Sequence, residues 1–169
     1  ANHPRRFRDE PLAMDEAGKT VALSWLAAQR VSGGTQMHDA IVEALRPLRA
    51  EAQRQVVLIS DGLIGFEQKV LSNILRDLPS GARLHTVGVG HCVNRSLTAP
   101  AARAGRGVEV IVAPDEPVDA VVRTLLARTS SPQIVDLTVV GDVELVAPER
   151  PSDLFAGAPV RFAVQVPAS

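Results

Sequence analysis

The segment Val56-Val57-Leu58-Ile59, followed directly by Ser60-Asp61-Gly62, constrains the fold more than any other part of the chain. A run of consecutive branched apolar residues is typical of a strand inside a parallel sheet that is covered on both faces. Open α/β sheets bind their ligands beyond the carboxyl ends of the strands. The pattern therefore predicts a buried strand that ends at Asp61, whose carboxylate is a suitable ligand for a hard divalent cation.

Helical and strand patterns alternate along the chain up to about residue 130, which predicts an α/β fold with a mainly parallel, doubly wound sheet. The spacing of apolar residues predicts helices over 16–30, 37–45, 66–78, 94–104 and 118–126, and strands over 56–59, 84–89 and 108–112.

After about Ser130 the strand patterns follow one another with no helix between them. They cover residues 134–140, 143–146 and 162–166, and Gly141-Asp142 can form a tight turn between the first two. We therefore expect an α/β domain over residues 1–130 and a short all-β segment of an accessory domain over residues 131–169.

Composition excludes several classes of function. The 169 residues carry a net charge of −1, and their basic residues are scattered, so the positive field needed for nucleic-acid binding is missing. No apolar run reaches the roughly 20 residues that a membrane-spanning helix needs. Cys92 is the only cysteine, which excludes an intramolecular disulfide framework.

A second candidate ligand lies upstream, where Ser32-Gly33-Gly34-Thr35 precedes a helical pattern. Thr35 and Asp61 fall in successive units, so both can project above the same end of the sheet. Two oxygen ligands are too few for Mg²⁺, which prefers six. Each residue also has a purely structural explanation, because Thr is a common helix N-cap and Asp-Gly is a common turn.

Other chemistry is weakly indicated. His85, His91 and Cys92 are close in sequence but lack the spacing of structural zinc motifs. Ser60 is not in a Gly-x-Ser-x-Gly elbow, and the chain contains no P-loop or complete dinucleotide fingerprint. We therefore expect no enzyme activity, with a hydrolase or nucleotide-binding enzyme as the least favoured alternative.

The combination of Gly33-Gly34-Thr35 with Val56–Gly62, and later Leu84–Gly90 and Asn94–Gly107, resembles the von Willebrand factor A domain. The resemblance covers about residues 1–130. With Asp153-Leu154-Phe155-Ala156-Gly157-Ala158-Pro159 near the C-terminus, the chain is most similar to bacterial relatives of the inter-alpha-trypsin-inhibitor heavy chains. The fold implied is a Rossmann-like sheet that lacks its first strands in this chain.

The resemblance implies a metal-ion-dependent adhesion site in which Thr35 and Asp61 are metal ligands from the second and third of three loops. The first loop, Asp-x-Ser-x-Ser, does not occur in these residues. In the intact parent protein we expect Mg²⁺, or Mn²⁺ or Ca²⁺, at this site, whereas this chain alone is expected to bind it weakly or not at all.

The function implied is metal-dependent binding of a protein ligand through an acidic residue, in a parent at the cell surface or in the periplasm rather than the cytoplasm. The alternative is a scaffold or regulatory subunit of an AAA+ ATPase or chelatase. The strand missing beside residues 56–59 is expected to come from another chain or a second copy, or to have been lost by cleavage.

Overall fold

The computed structural model describes residues 4–30, 36–46, 49, 51–130, 132–149 and 151–167. Its elements, in chain order, are α1 (Glu16–Ala27), α2 (Met37–Leu45), β1 (Gln55–Ser60), α3 (Glu67–Asp77), β2 (Arg83–Val89), α4 (Arg95–Ala104), β3 (Arg106–Val112), α5 (Val118–Thr129), β4 (Pro132–Ile134), β5 (Leu145–Ala147), β6 (Leu154–Phe155) and β7 (Ala163–Gln165). None of the helices within these ranges combines the length and apolar character needed to cross a bilayer.

Strands β1, β2 and β3 form a parallel sheet in that order. Helix α3 connects β1 to β2 and α4 connects β2 to β3, as parallel neighbours require a crossover. The register places Val56 beside Leu84 and Ile59 beside Val87. This arrangement confirms the predicted α/β class with a mainly parallel sheet.

One face of the sheet is covered by three helices. Leu84 of β2 is fully buried there, and the partly buried Val56 and Leu58 of β1 pack against the same cluster. The helices supply the remaining buried residues of this core, which are Met37, Ile41 and Leu45 of α2, Val70 and Ile74 of α3, and Leu97 and Ala101 of α4.

The opposite face of β2 is closed by the C-terminal segment. His85 follows Leu84, so its side chain points to the other face, where it meets the ring of Phe155 edge-on at 5.3 Å. Both side chains are fully buried, and His85 Nδ1 accepts a hydrogen bond from the Val108 N–H at 3.0 Å. Gln55, on the same face, donates to the Thr129 carbonyl at the end of α5. The sheet is therefore wound on both faces.

An ion-pair cluster ties the C-terminal segment to this face. Asp153 is buried and pairs with Arg83 of β2 and with Arg106 at the start of β3, the latter at 2.8 Å. Arg106 also pairs with the exposed Asp136 at 2.8 Å. The buried carboxylate of Asp153 thus pairs with two guanidinium groups that lie far away in sequence, and Asp136 supplies the second negative charge.

Strand β1 differs from the expectation of a strand covered on both faces. Val57 and Ile59 are 41% and 65% exposed, and no strand in the described ranges pairs with the side of β1 opposite β2. The apolar run therefore forms a strand as predicted, but the strand lies at the sheet edge and exposes one face.

The described part of the segment after residue 130 contains strands and no helix, as predicted, and the strands pair antiparallel, but their extents and pairing differ from the prediction. Strand β4 ends at Ile134 and pairs with β6, while β5 pairs with β7, so Gly141-Asp142 does not join a hairpin. Residues beyond Ile134 leave the extended conformation at Asp136, which has φ 53° and bonds to Arg106. Val140 is 90% exposed, and without a partner strand the alternating pattern there forms no ladder.

Helix α1 begins as predicted and ends three residues earlier than the predicted helix over 16–30. The Asp15 carboxylate caps it by accepting from the Gly18 N–H at 2.8 Å. Trp25 is half-buried, with its ring 5.3 Å from that of Phe7. Val21, Leu23 and Leu26 are exposed.

Candidate functional site

Asp61 follows β1 directly, at the carboxyl end of the parallel sheet, and is exposed. Its Oδ1 accepts a hydrogen bond from the Leu63 N–H at 3.0 Å, a local turn that fixes the direction of the carboxylate. Within the described residues, Oδ2 has no hydrogen-bond partner. The side chain is therefore held by one oxygen while the other faces solvent.

Gly62 allows the chain to turn sharply after Asp61. Its φ of +75° lies in the left-handed region, which glycine adopts without steric cost. A Cβ atom at this position would also lie 2.9 Å from the Asn94 carbonyl oxygen. Residue 62 therefore has to be glycine for two separate reasons, backbone conformation and lack of space.

Asn94 braces this loop from the next strand–helix unit, a role that sequence analysis did not identify. Its N–H donates to the Asp61 carbonyl at 2.8 Å, and its side-chain amide donates to the Gly62 carbonyl at 3.0 Å and to Glu67 at 3.2 Å. Its Oδ1 caps α4 by accepting from the Ser96 N–H. An Asn just before a helical pattern predicts the cap, but not the contact with residues 61–67.

Thr35, the other predicted metal ligand, lies outside the described residues. The nearest described residues, Gln36–Asp39 at the start of α2, line a cavity of about 660 Å³ together with Ile64–Phe66, Lys69 and Val70. The start of α2 is therefore next to the loop that follows β1. Asp39, which sequence analysis also did not select, is half-buried at this cavity.

The described residues alone do not fit a divalent-cation site. Asp61 contributes a single carboxylate, and no group of three or more His, Cys, Asp or Glu side chains in the described part of the chain is arranged to hold a metal. Mg²⁺ requires near-octahedral coordination by oxygens, with water in several positions. Any such site at Asp61 needs ligands from outside these residues.

The residues considered for zinc, His85, His91 and Cys92, are not arranged so that they could bind one ion together. His85 is buried, with Nδ1 engaged by Val108, whereas His91 and Cys92 are exposed. Burial, and secondly the positive charge of Arg83, lower the pKa of His85 to about 4, so the imidazole is neutral at pH 7. Its role is structural, in contact with Phe155.

Comparisons with known proteins find similarity in three-dimensional structure but not in sequence. No protein-family model and no curated protein sequence matches this chain. A crystal structure of the conserved hypothetical protein BatB from Bacteroides thetaiotaomicron is similar to it, with 18% sequence identity and a TM-score of 0.47. The similarity covers 62% of this chain and 65% of BatB, so the chain spans less than two thirds of that protein.

Proposed function

We propose that this chain is part of a non-enzymatic protein-binding module in which a divalent cation is held partly by Asp61 and Thr35. The observation that supports the proposal is the exposure of the Asp61 carboxylate, together with its hydrogen bonding. Its carboxylate is exposed at the carboxyl end of a parallel strand, where such sheets bind ligands. One oxygen is fixed by the Leu63 N–H, and the other is available.

The cation would supply positive charge and geometry, while the loop supplies a rigid ligand. Mg²⁺ is favoured because Asp61 and Thr35 provide oxygen ligands and because this ion retains water in part of its coordination shell. A carboxylate from a protein partner can replace such a water. In this arrangement Gly62 and Asn94 keep Asp61 in place before the cation binds.

The exposed edge of β1 supports a second part of the proposal, that a strand from outside the described residues pairs with it. A sheet edge presents unpaired N–H and C=O groups that can bind another strand. Val57 and Ile59 are exposed on this strand and would be covered by elements that accompany the new strand. That strand would come from another chain or a second copy, and the loop after it would complete the metal site.

Paramagnetic Mn²⁺ provides the test. In this chain we expect weak binding, seen as selective broadening of the Gly62 and Leu63 amide NMR signals as Mn²⁺ is added. The broadening should disappear in Asp61→Asn, whose side-chain oxygen can still accept the Leu63 hydrogen bond. Asp115→Asn is the matched control, because Asp115 is also exposed and follows a parallel strand of the same sheet.

Two outcomes would contradict the proposal. Broadening that is equal in Asp61→Asn and the native chain would show that Asp61 is not a ligand. Tight, stoichiometric binding by this chain alone, abolished by Asp61→Asn, would show that the site is complete without a further loop.

A further inference from the structure

A second cavity lies away from the Asp61 loop, between α4, β3, α5 and the segment over residues 157–161. Its volume is about 420 Å³, within the usual range for small-molecule sites. The residues that line it include four arginines, contributed by α4, α5 and the C-terminal segment, namely Arg95, Arg103, Arg128 and Arg161. No residue of the loop over 61–66 lines it.

The two carboxylates that line this cavity are already engaged. Glu109 pairs with Arg95 at 2.6 Å and also accepts a hydrogen bond from the Thr98 hydroxyl at 2.6 Å. Asp153 pairs with Arg83 and Arg106, as described above. Neither carboxylate is therefore free to neutralise the remaining arginines.

Arg103, Arg128 and Arg161 consequently leave an excess of positive charge at the cavity. In the part of the chain that the structure describes, none of the three lies within 4.0 Å of a carboxylate oxygen. Glu149 lines an adjacent cavity together with Arg103 but forms no ion pair with it. Like charges repel one another, so an anion in the cavity would lower the energy of this arrangement.

Small residues leave room for such a ligand. Gly107, Ala99 and Ala102 form part of the wall, and Gly157 brings the backbone close to Arg128. A Cβ atom at Gly157 would lie 3.9 Å from Arg128 Nε, and the φ of +68° at this glycine disfavours any other residue. The guanidinium of Arg128 is therefore beside backbone and open space.

We propose that this cavity binds a small soluble molecule that carries a phosphate or diphosphate group. Guanidinium groups bind phosphate oxygens through paired N–H donors, and a phosphate can accept from several arginines at once. A monocarboxylate has only two oxygens and would satisfy one arginine fork. The three arginines come from separate elements, so the ligand also joins the C-terminal segment to α4 and α5.

Inorganic pyrophosphate is the probe for this proposal. Calorimetric titration of the full 169-residue chain at constant ionic strength should give saturable binding at one site. The amide signals of Gly107 and Gly157 should shift in NMR spectra during the same titration, which locates the site without any substitution. Substituting Arg128→Ala or Arg161→Ala should each weaken binding about tenfold.

Arg123→Ala is the matched control, because Arg123 is an exposed arginine on the same helix as Arg128 and does not line the cavity. The affinity of this variant for pyrophosphate should equal that of the native chain. Thermal unfolding of each variant shows whether the fold is retained. Arg161→Lys provides a milder second variant, in which the positive charge remains but the paired N–H donors of the guanidinium group are lost.

The proposal is wrong if pyrophosphate produces no saturable heat and no shift at Gly107 or Gly157. Equal weakening in Arg123→Ala and Arg128→Ala would also overturn it, because general attraction of anions would then explain the binding. Binding of a single-stranded oligonucleotide as tight as that of pyrophosphate, at equal phosphate concentration, would contradict a small-molecule site.

Discussion

Strands β1 and β2 are adjacent and parallel, yet their environments differ. In β2, residues 83–88 are all buried, because the strand has a neighbour on each side, helices on one face and the Phe155 segment on the other. In β1, burial alternates, and Ile59 is 65% exposed although Val87 beside it is 4% exposed. An apolar sequence therefore makes a strand, but only neighbouring elements make it central.

The difference also separates stability from binding. Charged side chains beside β2 pair with one another, as Asp153 does with Arg83 and Arg106. Along β1, three features are free to contact a binding partner: the backbone edge that pairs with no described strand, the exposed apolar side chains and the Asp61 carboxylate. We therefore expect substitutions around β2 to change the free energy of unfolding, and substitutions along β1 to change binding.

The largest expected effect is at the buried ion pairs beside β2. Asp153→Asn removes the buried negative charge that pairs with both Arg83 and Arg106, and loss of one partner from a buried pair typically costs about 3–5 kcal/mol. Urea unfolding measures the change. Asp136→Asn is the control, because Asp136 pairs with the same Arg106 but its side chain is 79% exposed, and surface pairs contribute less than about 1 kcal/mol. Equal effects in both variants would refute the distinction.

Lowering the pH should reduce the free energy of unfolding, because His85 is buried in its neutral form beside β3 and Phe155. Its pKa falls from the ordinary 6.5 to about 4 in the folded protein, so below pH 6.5 the unfolded chain binds more protons than the folded one. The free energy of unfolding should therefore decrease between pH 6.5 and 4, by at most about 3 kcal/mol from this group. Urea unfolding at several pH values and NMR titration of the imidazole measure it.

An exposed histidine is the control for this pH dependence. His91→Gln should leave the slope of stability against pH unchanged. A His85 imidazole that titrates near 6.5 in the folded protein would contradict the buried, neutral state.

Sequence patterns predicted those parts of the fold that local periodicity determines. The helix predicted over 66–78 is α3 over 67–77, and the strand predicted over 56–59 is β1 over 55–60. The exposed face of β1 was not predictable from its own sequence, because burial depends on partners distant in the chain. The same reason explains why the strand predicted over 134–140 ends at Ile134: residues 135–140 have an alternating pattern but no partner strand in the described part of the chain.

The candidate site was predictable only in part. The position of Asp61 after a strand followed from the sequence, whereas its role as a metal ligand stays a prediction, as does that of Thr35. Asn94 contacts residues 61–67 across about 30 positions, and the Arg83–Asp153 pair spans 70 residues. Neither contact has a periodic signal, so only the three-dimensional arrangement reveals them.

Gly62→Ala tests the rigidity of the loop at the end of β1. The substitution places a side chain at φ +75° and brings its Cβ within 2.9 Å of the Asn94 carbonyl, so we expect a loss of about 1–3 kcal/mol. Gly65→Ala in the same loop is the control, because no atom lies within 4 Å of its Cβ position and its φ is not positive. Thermal unfolding should show little change for Gly65→Ala, and an equal loss in both would contradict the role given to Gly62.

The smallest expected effect concerns Ile59, and it tests the contrast between edge and centre directly. Ile59 and Val87 are register partners on the same face of neighbouring strands. Threonine preserves β-branching at both positions, so Ile59→Thr should change the free energy of unfolding by no more than about 0.5 kcal/mol. Val87→Thr buries a hydroxyl group and should cost about 1–3 kcal/mol. Urea unfolding of the two variants would contradict the contrast if Ile59→Thr cost as much as Val87→Thr, because Ile59 would then already be covered in the isolated chain.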